Sequence, residues 1–174
     1  MKDLKDYVRS IPGFPKPGII FRDITTLIND ADGLHQAIDD MCDKVKNLDF
    51  DVIAGAEARG FIFGAAMAYK MHKPLVLIRK KGKLPTKVIA QEYDLEYGTS
   101  RLEMHLDSYK PGTKVLIVDD LLATGGTTKA ITQLVEKTGG IVAGISVLIE
   151  LVDLKGREHL TDYKVFSSIT FEGE

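Results

Sequence analysis

Residues 115–128 read Val-Leu-Ile-Val-Asp-Asp-Leu-Leu-Ala-Thr-Gly-Gly-Thr-Thr, and this stretch decides the fold that the sequence predicts. Its first four residues form a continuous apolar, mostly β-branched run, which is typical of a strand buried on both faces of a parallel sheet. Asp119 and Asp120 follow at once. Because side chains alternate along a strand, we expect the strand to end by Asp119, so that both acids can serve one ligand. They would then lie at the carboxyl edge of the sheet, where open α/β folds bind ligands.

After Leu121 and Leu122 come Ala123-Thr124-Gly125-Gly126-Thr127, which we call the Gly-rich turn. A helical pattern with an apolar face at residues 130–135 follows it. The Thr hydroxyls of residues 124–128 add donors, so we expect these residues to form a cradle for a monophosphate. A glycine-rich turn that opens a helix leaves backbone N–H groups unpaired and carries partial positive charge, which suits an anion. Asp119 and Asp120 could accept hydrogen bonds from a diol, so the stretch as a whole predicts a site for a ribose 5-phosphate. The turn alone leaves a purely structural role open, because similar turns occur in α/β proteins that bind no phosphate.

The composition is ordinary for a folded protein. A length of 174 residues favours one domain, and the formal net charge of −2 argues against a nucleic-acid binder that relies on bulk electrostatics. Cys42 is the single cysteine, which excludes an internal disulfide and a thiolate metal cluster. No apolar run approaches the ~18 residues of a membrane span, and the charged first residues are unlike a signal peptide. We therefore expect a cytoplasmic protein without a membrane partner.

Strand and helix patterns alternate along the chain, which predicts a single doubly wound α/β domain, residues 1–174, with a mostly parallel central sheet. The patterns place a short helix at 3–9, an extended segment at 19–24, a helix at 33–48, a strand at 51–56, a helix from 59 or 60 to 71, strands at 74–78 and 115–118, a helix after the Gly-rich turn, a strand at 141–150, a short helix at 154–160 and a last strand at 165–170. Residues 1–30 are expected to form an N-terminal arm, or hood. Residues 84–106 are expected to form a hairpin with a long polar tip at 93–100, acting as a flexible lid.

Further segments follow predicted strands at the same edge of the sheet. Residues 55–60, Gly-Ala-Glu-Ala-Arg-Gly, offer a cation and free amides to an anion, and the basic run of residues 79–83 could meet a pyrophosphate. Purely structural interpretations stay open for each segment. Residues 55–60 could be a glycine-tolerant turn with a solvated Arg, and residues 79–83 could be a solvated charged face. Residues 19–24 could be an edge segment packed on the core instead of a base pocket. P-loop, dinucleotide-binding, zinc-protease and nucleophile-elbow strings are absent from the sequence. Acids, cations and amides remain, which suit group transfer through positioning and charge stabilisation.

The string from Asp119 to Thr127 resembles the 5-phosphoribosyl-1-pyrophosphate (PRPP) binding motif of type I phosphoribosyltransferases, in the form found in adenine phosphoribosyltransferases. Motifs in the same order as in that family cover nearly the whole chain: Phe14-Pro-x-Pro-Gly-x-x-Phe-Arg-Asp-Ile-Thr25, Glu57-Ala-Arg-Gly-Phe61, Arg79-Lys-x-Gly-Lys-Leu-Pro85, Leu95-Glu-Tyr-Gly98 and Leu154-Lys-Gly-Arg-Glu158. The resemblance implies the type I fold and a purine-salvage reaction, adenine plus PRPP giving AMP plus pyrophosphate. It also implies Mg²⁺ carried mainly by PRPP without a direct metal ligand from the chain, and a homodimer that shares part of its site across subunits.

The resemblance assigns roles residue by residue. Asp119 and Asp120 would hold the ribose hydroxyls, and the Gly-rich turn would bind the 5-phosphate through Ala123, Thr124, Gly125, Gly126 and Thr127. The pyrophosphate would be bound by Arg59, the Glu57–Ala58 peptide, Arg79 and Lys83. Adenine would be surrounded by Ile20, Phe21, Arg22 and Leu151. The catalytic set would be Arg59, Asp119, Asp120 and Glu96, with Glu96 handling the proton on the base. The alternative is a PRPP- or purine-sensing regulatory module of the same fold without turnover, although this chain shows no basic helix-turn-helix segment.

Overall fold

The central sheet surrounds the strand that begins the quoted stretch. A computed structural model describes residues 1–95 and 97–173. The elements in chain order are β1 (Arg9–Pro12), β2 (Ile20–Asp23), α1 (Thr25–Ile28), α2 (Ala31–Lys44), β3 (Val52–Ala56), α3 (Gly60–Met71), β4 (Leu75–Lys80), β5 (Val88–Leu95), β6 (Gly98–His105), β7 (Lys114–Leu122), α4 (Gly126–Lys137), β8 (Ile141–Leu151) and β9 (Val165–Phe171). Short 3₁₀ helices lie at Leu4–Tyr7, Val152–Leu154 and Gly156–His159.

The main sheet has the strand order β5-β6-β4-β3-β7-β8-β9. Strands β4, β3, β7, β8 and β9 are parallel, whereas β6 runs antiparallel to β4 and β5 antiparallel to β6. The prediction of a mostly parallel sheet is confirmed. Strands β1 and β2 pair with each other in a separate antiparallel ribbon within the N-terminal arm.

Alternate residues of β7 pack against helices on opposite faces of the sheet. Leu116 and Val118 belong to a hydrophobic cluster with α2 and α3, while Val115 and Ile117 belong to a cluster with α4. All four side chains are fully buried, as expected for a parallel strand covered on both faces. The doubly wound arrangement is therefore confirmed.

The expectation that β7 ends by Asp119 is wrong, because the strand continues to Leu122. Pairing of β7 with β3 stops at Val118, but pairing with β8 continues to Leu122. The last part of β7 therefore keeps strand geometry on one side and borders an open space on the other. This opening, not the end of the strand, makes room for a ligand beside both acids.

The long polar tip expected for the hairpin is also wrong. Strand β5 extends to Leu95 and β6 begins at Gly98, and these residues are paired. The polar residues of both arms are tolerated in strands because most of this part of the hairpin is exposed. At residues 3–9, the expected helix is limited to the 3₁₀ helix Leu4–Tyr7. Among the described residues, no helix is long and apolar enough to cross a membrane.

Candidate functional site

A cleft opens where β3 and β7 separate at the carboxyl edge of the sheet. Its volume is about 460 Å³, within the range of roughly 300–1,000 Å³ that is usual for small-molecule sites. The lining residues are Glu57, Ala58, Arg59, Lys80, Tyr93, Leu102, Asp119, Asp120, Leu121, Ala123, Thr124, Gly125, Gly126, Thr127 and Thr128. Segments that are far apart in sequence and were singled out separately thus meet in one cavity.

The paired acids are fixed by their neighbours. The backbone N–H of Asp120 donates to Asp119 Oδ1 at 2.8 Å, and Arg59 Nε lies 2.8 Å from Asp120 Oδ2. A Cβ placed on Gly60 would lie 2.9 Å from Asp119 Oδ1, so the first residue of α3 must be a glycine for the helix to approach this carboxylate. The acids consequently line the cleft at a close approach of α3 to β7.

Asp119 is held in a poorly solvated and negatively charged environment. Burial raises the pKa of its carboxyl well above the ordinary value, and the neighbouring charge of Asp120 raises it further. The positive charge of Arg59 acts in the opposite direction but does not cancel these effects. The ionised carboxylate is disfavoured in this environment. A ligand that donates hydrogen bonds to it, as a ribose diol would, or a nearby cation stabilises the ionised form.

The Gly-rich turn presents backbone donors to the cleft. Gly125 has a φ of +91°, a conformation that glycine adopts without steric cost. It caps α4 with no side-chain hydrogen bond to the first turn of that helix, so the first N–H groups of α4 are available to an anion. These donors and the positive end of the helix dipole favour a phosphate group.

Glu57 organises the basic run beside the cleft. It accepts hydrogen bonds from the backbone N–H of Lys80 at 2.7 Å and from Lys83 Nζ at 2.6 Å. Burial would raise the pKa of Glu57, but the hydrogen bonds from Lys83 and Lys80 outweigh it and hold the pKa below the ordinary value. Arg79 Nε lies 3.6 Å from the same carboxylate, and the Glu57–Ala58 peptide is cis.

Of the three cations predicted to bind pyrophosphate, only Arg59 lines the cleft in the part of the chain that the structure describes. Arg59 lines the cleft, whereas Arg79 and Lys83, both within the described residues, cluster around Glu57 and do not line it. Lys80, which the residue-by-residue assignment passed over, does line it. The alternation of side chains along a strand could have found Lys80, because β4 runs to this residue and Arg79 and Lys80 must point to opposite faces.

Other lining residues also escaped sequence reasoning. Tyr93 and Leu102 reach the cleft from the hairpin, and Leu121 lines it next to the acids. Tyr93 lay in a segment that was expected to be a loop, so its direction could not be inferred. Thr128, in the first turn of α4, also lines the cleft, and it belongs to the phosphate cradle of residues 124–128 that the sequence predicts.

The residues expected around adenine lie beside the cleft and do not line it. The guanidinium carbon of Arg59 lies 5.9 Å from the ring centre of Phe21, which links the N-terminal arm to the phosphate side. Arg22 stacks at 4.1 Å over the ring of Phe171, and Leu151 belongs to the same hydrophobic cluster as Phe171. Ile20 precedes Phe21 in β2 and is half-buried. Glu96 lies outside the described residues.

Comparison with known proteins gives the class of this protein. The family described as "Phosphoribosyl transferase domain" matches residues 25–173, which include the whole of the cleft. The class that fold and site define is therefore that of phosphoribosyltransferases, which are enzymes.

Individual relatives narrow the class. An adenine phosphoribosyltransferase of Agathobacter rectalis is 56% identical over 174 residues, the full length of both chains. The crystal structure of adenine phosphoribosyltransferase from Thermoanaerobacter pseudethanolicus has 48% identity and a TM-score of 0.93, covering 97% of this chain and 98% of that one. The enzyme from Saccharomyces cerevisiae, complexed with D-2,5-dideoxy-2,5-imino-altritol 1,6-bisphosphate and adenine, has 33% identity and a TM-score of 0.88 over 94% and 95% of the two chains. The chain belongs to the adenine phosphoribosyltransferases within the phosphoribosyl transferase domain family. These similarities do not favour a sensing module without turnover.

Proposed function

We propose that this enzyme transfers the 5-phosphoribosyl group of PRPP to adenine, giving AMP and pyrophosphate, a reaction of purine salvage. The observation that carries the proposal is the convergence of Asp119, Asp120, Arg59 and the Gly-rich turn in one cleft. This set offers acceptors to a diol, amides to a monophosphate and a cation to a diphosphate. The complex of the yeast relative with adenine and a bisphosphate compound supports the same pair of substrates here.

The phosphate contacts require Arg59 to change partners. Its guanidinium is paired with Asp120 at 2.8 Å, and its side chain is 46% exposed. A diphosphate entering the cleft would offer Arg59 a stronger partner, because Arg binds phosphate oxygens in a bidentate manner. Asp120 would then be released to accept a hydrogen bond from the ribose.

Charge develops when the C1–O bond between ribose and pyrophosphate breaks. The sugar becomes positive, and the carboxylates of Asp119 and Asp120 stabilise that positive charge. The pyrophosphate leaving group becomes more negative, and Arg59 and Lys80 stabilise that negative charge. Arg79 and Lys83, which pair with Glu57 beside the cleft, add positive charge nearby. Preorganised charges at fixed positions lower the barrier without reorganisation during the reaction.

We propose that Mg²⁺ enters the cleft bound to PRPP. Among residues 1–95 and 97–173, no group of three or more His, Cys, Asp or Glu side chains is arranged to hold a metal ion. Mg²⁺ dehydrates reluctantly and is readily bound by substrate phosphates and water, so PRPP itself could carry the ion into the cleft without a direct ligand from the chain. The ion, carried mainly by PRPP, would neutralise part of the charge on the diphosphate.

Water must be kept from PRPP, since hydrolysis would compete with transfer. We propose that the hairpin of residues 84–106 closes over the cleft as a lid, because Tyr93 and Leu102 already reach the cavity from it. The N-terminal arm would cover the other side and hold adenine with Ile20, Phe21, Arg22 and Leu151. Glu96 is proposed to handle the proton on the base.

We also propose a homodimer. Helix α3 carries exposed apolar side chains, Ile62 at 39% and Tyr69 at 91% exposure. Together with Leu34 and Ile38 of α2 they line an apolar groove of about 1020 Å³. A second copy of the chain would bury this surface and could bring its own basic run toward the cleft. A cytoplasmic location is proposed as well, and the single, buried Cys42 fits a reducing compartment.

The direct test is formation of AMP from adenine and PRPP with Mg²⁺, followed spectrophotometrically. Guanine, hypoxanthine and uracil serve as competing bases in the same assay. Turnover with adenine supports the proposal. Turnover with another base but not with adenine would reject the substrate, and PRPP binding without any turnover would reject catalysis.

A further inference from the structure

The Leu154-Lys-Gly-Arg-Glu158 segment, which we call the Gly156 turn, does not line the cleft within the described residues. It lies directly behind the Gly-rich turn. We infer that Arg157, held by the buried Glu150, is a positioning residue that fixes the Gly156 turn and thereby holds the Gly-rich turn in the shape that accepts a 5-phosphate. The inference rests on the proposed phosphate-binding role of the Gly-rich turn.

The Gly156 turn and the Gly-rich turn touch backbone to backbone. A Cβ placed on Gly125 would lie 2.8 Å from the carbonyl oxygen of Gly156. A Cβ placed on Gly156 would lie 2.5 Å from the carbonyl oxygen of Ala123. Neither position has room for a side chain, so no flexible group lies between the two segments. A displacement of the Gly156 turn must therefore be passed on to the Gly-rich turn.

Arg157 anchors the Gly156 turn to the main sheet. Its Nε lies 3.0 Å and 2.8 Å from the two carboxylate oxygens of Glu150 on β8, and its Nη1 donates to the carbonyl oxygen of Val165 on β9 at 2.9 Å. Ser167 Oγ donates to Glu150 at 2.9 Å. Glu150 is only 7% exposed, and burial would raise its pKa, but the hydrogen bonds from Arg157 and Ser167 outweigh this and hold the pKa below the ordinary value.

The backbone of the Gly156 turn needs such an anchor. Lys155 has a φ of +56°, in the left-handed region that non-glycine residues adopt at a cost. A conformation of this kind persists only where surrounding contacts enforce it. The hydrogen bonds of Arg157, the next residue but one, supply those contacts, and without them the turn is free to relax away from the Gly-rich turn.

The test compares binding of AMP and adenosine, two ligands that differ by the 5-phosphate alone. Affinities are measured by calorimetry for the wild-type enzyme and for Arg157→Ala and Arg157→Lys. Lys44→Ala is the control, because Lys44 also pairs with a carboxylate, that of Asp40 at 2.9 Å, on α2 away from the cleft. Thermal unfolding of each variant measures the purely structural effect.

We expect Arg157→Ala to weaken AMP binding roughly tenfold, the loss of about one hydrogen bond to a charged group, and to leave adenosine binding unchanged. Arg157→Lys should give an intermediate loss, because Lys keeps the charge but cannot donate to Glu150 and to the Val165 carbonyl oxygen at once as Arg157 does. Lys44→Ala should leave the ratio of the two affinities at the wild-type value. The mild Arg157→Lys variant carries the test if Arg157→Ala does not fold.

Two results would overturn the inference: an unchanged ratio of AMP to adenosine affinity in both Arg157 variants, or an equal loss for both ligands. A wild-type enzyme that binds AMP no more tightly than adenosine would instead reject the proposed phosphate site itself. The outcomes for the positioning role and for the proposed function are thereby separated.

Discussion

Arg59 Nε lies 2.8 Å from Asp120 Oδ2, so the principal cation of the cleft is paired with one of its two acids. The Asp120 side chain is 11% exposed and that of Arg59 46%. The acid is therefore held by the fold, while the Arg is free to turn into solvent. On substrate binding, Arg59 would bind phosphate and Asp120 would accept a hydrogen bond from a ribose hydroxyl, so the pair would separate.

Replacing Asp120 by Asn should impair PRPP binding while the chain folds normally. The Asn side chain keeps the shape but loses the negative charge that would accept the ribose hydroxyl and stabilise the developing positive charge. We expect the KM for PRPP to rise and kcat to fall, each by roughly tenfold or more. Steady-state kinetics measure the effect, and circular dichroism checks the fold. Asp40→Asn, which removes a surface pair with Lys44 on α2, is the control; wild-type kinetics in Asp120→Asn would remove the proposed diol role.

Asp119 should lower the stability of the folded protein at neutral pH. Its pKa is raised in the folded state above the value of 3.8 that applies to the unfolded chain, so the folded state binds more protons in the window above 3.8. Stability must then fall as pH rises through that window. Asp119→Asn removes the buried charge, yet its side-chain oxygen can still accept the Asp120 N–H.

We therefore expect Asp119→Asn to raise the free energy of unfolding at pH 7 relative to wild type, and we expect the gain to vanish below pH 3.8. Urea unfolding of both proteins across that range measures it. The variant should at the same time lose turnover, as is common where a strained site carries function. A variant that is less stable than wild type at pH 7 would contradict the raised pKa.

The main features of the fold could be predicted from the sequence because they depend on local patterns. The apolar run of residues 115–118 and the helical spacing after the Gly-rich turn each specify an element by themselves. The extent of β7 could not be predicted in this way. It depends on β3 ending its pairing at Val118 while β8 continues alongside, which is a relationship between three strands.

In the site, too, residues that are contiguous in sequence could be predicted, whereas residues brought in by strand pairing could not. Asp119, Asp120 and the Gly-rich turn are contiguous in sequence, so their proximity could be inferred. Lys80 and Tyr93 reach the cleft only because β4 and the hairpin run further than their apolar residues indicated. Polar residues inside a strand give no periodic apolar signal, and their direction is set by tertiary pairing.

Lys80 should contribute to binding of the diphosphate, because its side chain lines the cleft. Lys80→Gln removes the charge but keeps the backbone N–H that donates to Glu57. We expect the KM for PRPP to rise roughly tenfold and inhibition by pyrophosphate to weaken equally, with AMP binding unchanged. Lys81→Gln is the matched control, since Lys81 is a neighbour that does not line the cleft. Equal effects of the two substitutions would mean that only the general charge of the basic run matters.

The apolar groove on α2 and α3 should hold the second copy of the chain. Ile62→Asp places a charge in a surface that the dimer would bury, which is unfavourable unless the charge is paired. We expect light scattering to give the mass of a dimer for wild type and of a monomer for the variant at micromolar concentration. Ile141→Asp, at an apolar residue that is 51% exposed at the start of β8, should stay dimeric. A monomeric wild type, or loss of the dimer in both variants, would reject this interface.

Asp23 should stabilise the N-terminal arm in a pH-dependent manner. Its carboxylate accepts hydrogen bonds from the Thr25 hydroxyl at 2.7 Å, from the Thr25 N–H at 2.9 Å and from Arg9 Nε at 3.1 Å. The Thr25 hydroxyl, followed by Arg9, lowers the pKa of Asp23 from 3.8 to about 2. A lowered pKa contributes stability that is fully present above 3.8 and is lost as pH falls toward about 2.

Asp23→Asn keeps an oxygen for Thr25 but turns an amide toward Arg9, so we expect the free energy of unfolding at pH 7 to drop by roughly 1 to 2 kcal/mol. The difference between variant and wild type should shrink as pH falls from 4 toward 2, because the wild-type carboxyl is then protonated as well. Urea unfolding at several pH values measures both quantities. A difference that stays constant over this range would show that the loss comes from shape or packing and not from the charge of Asp23.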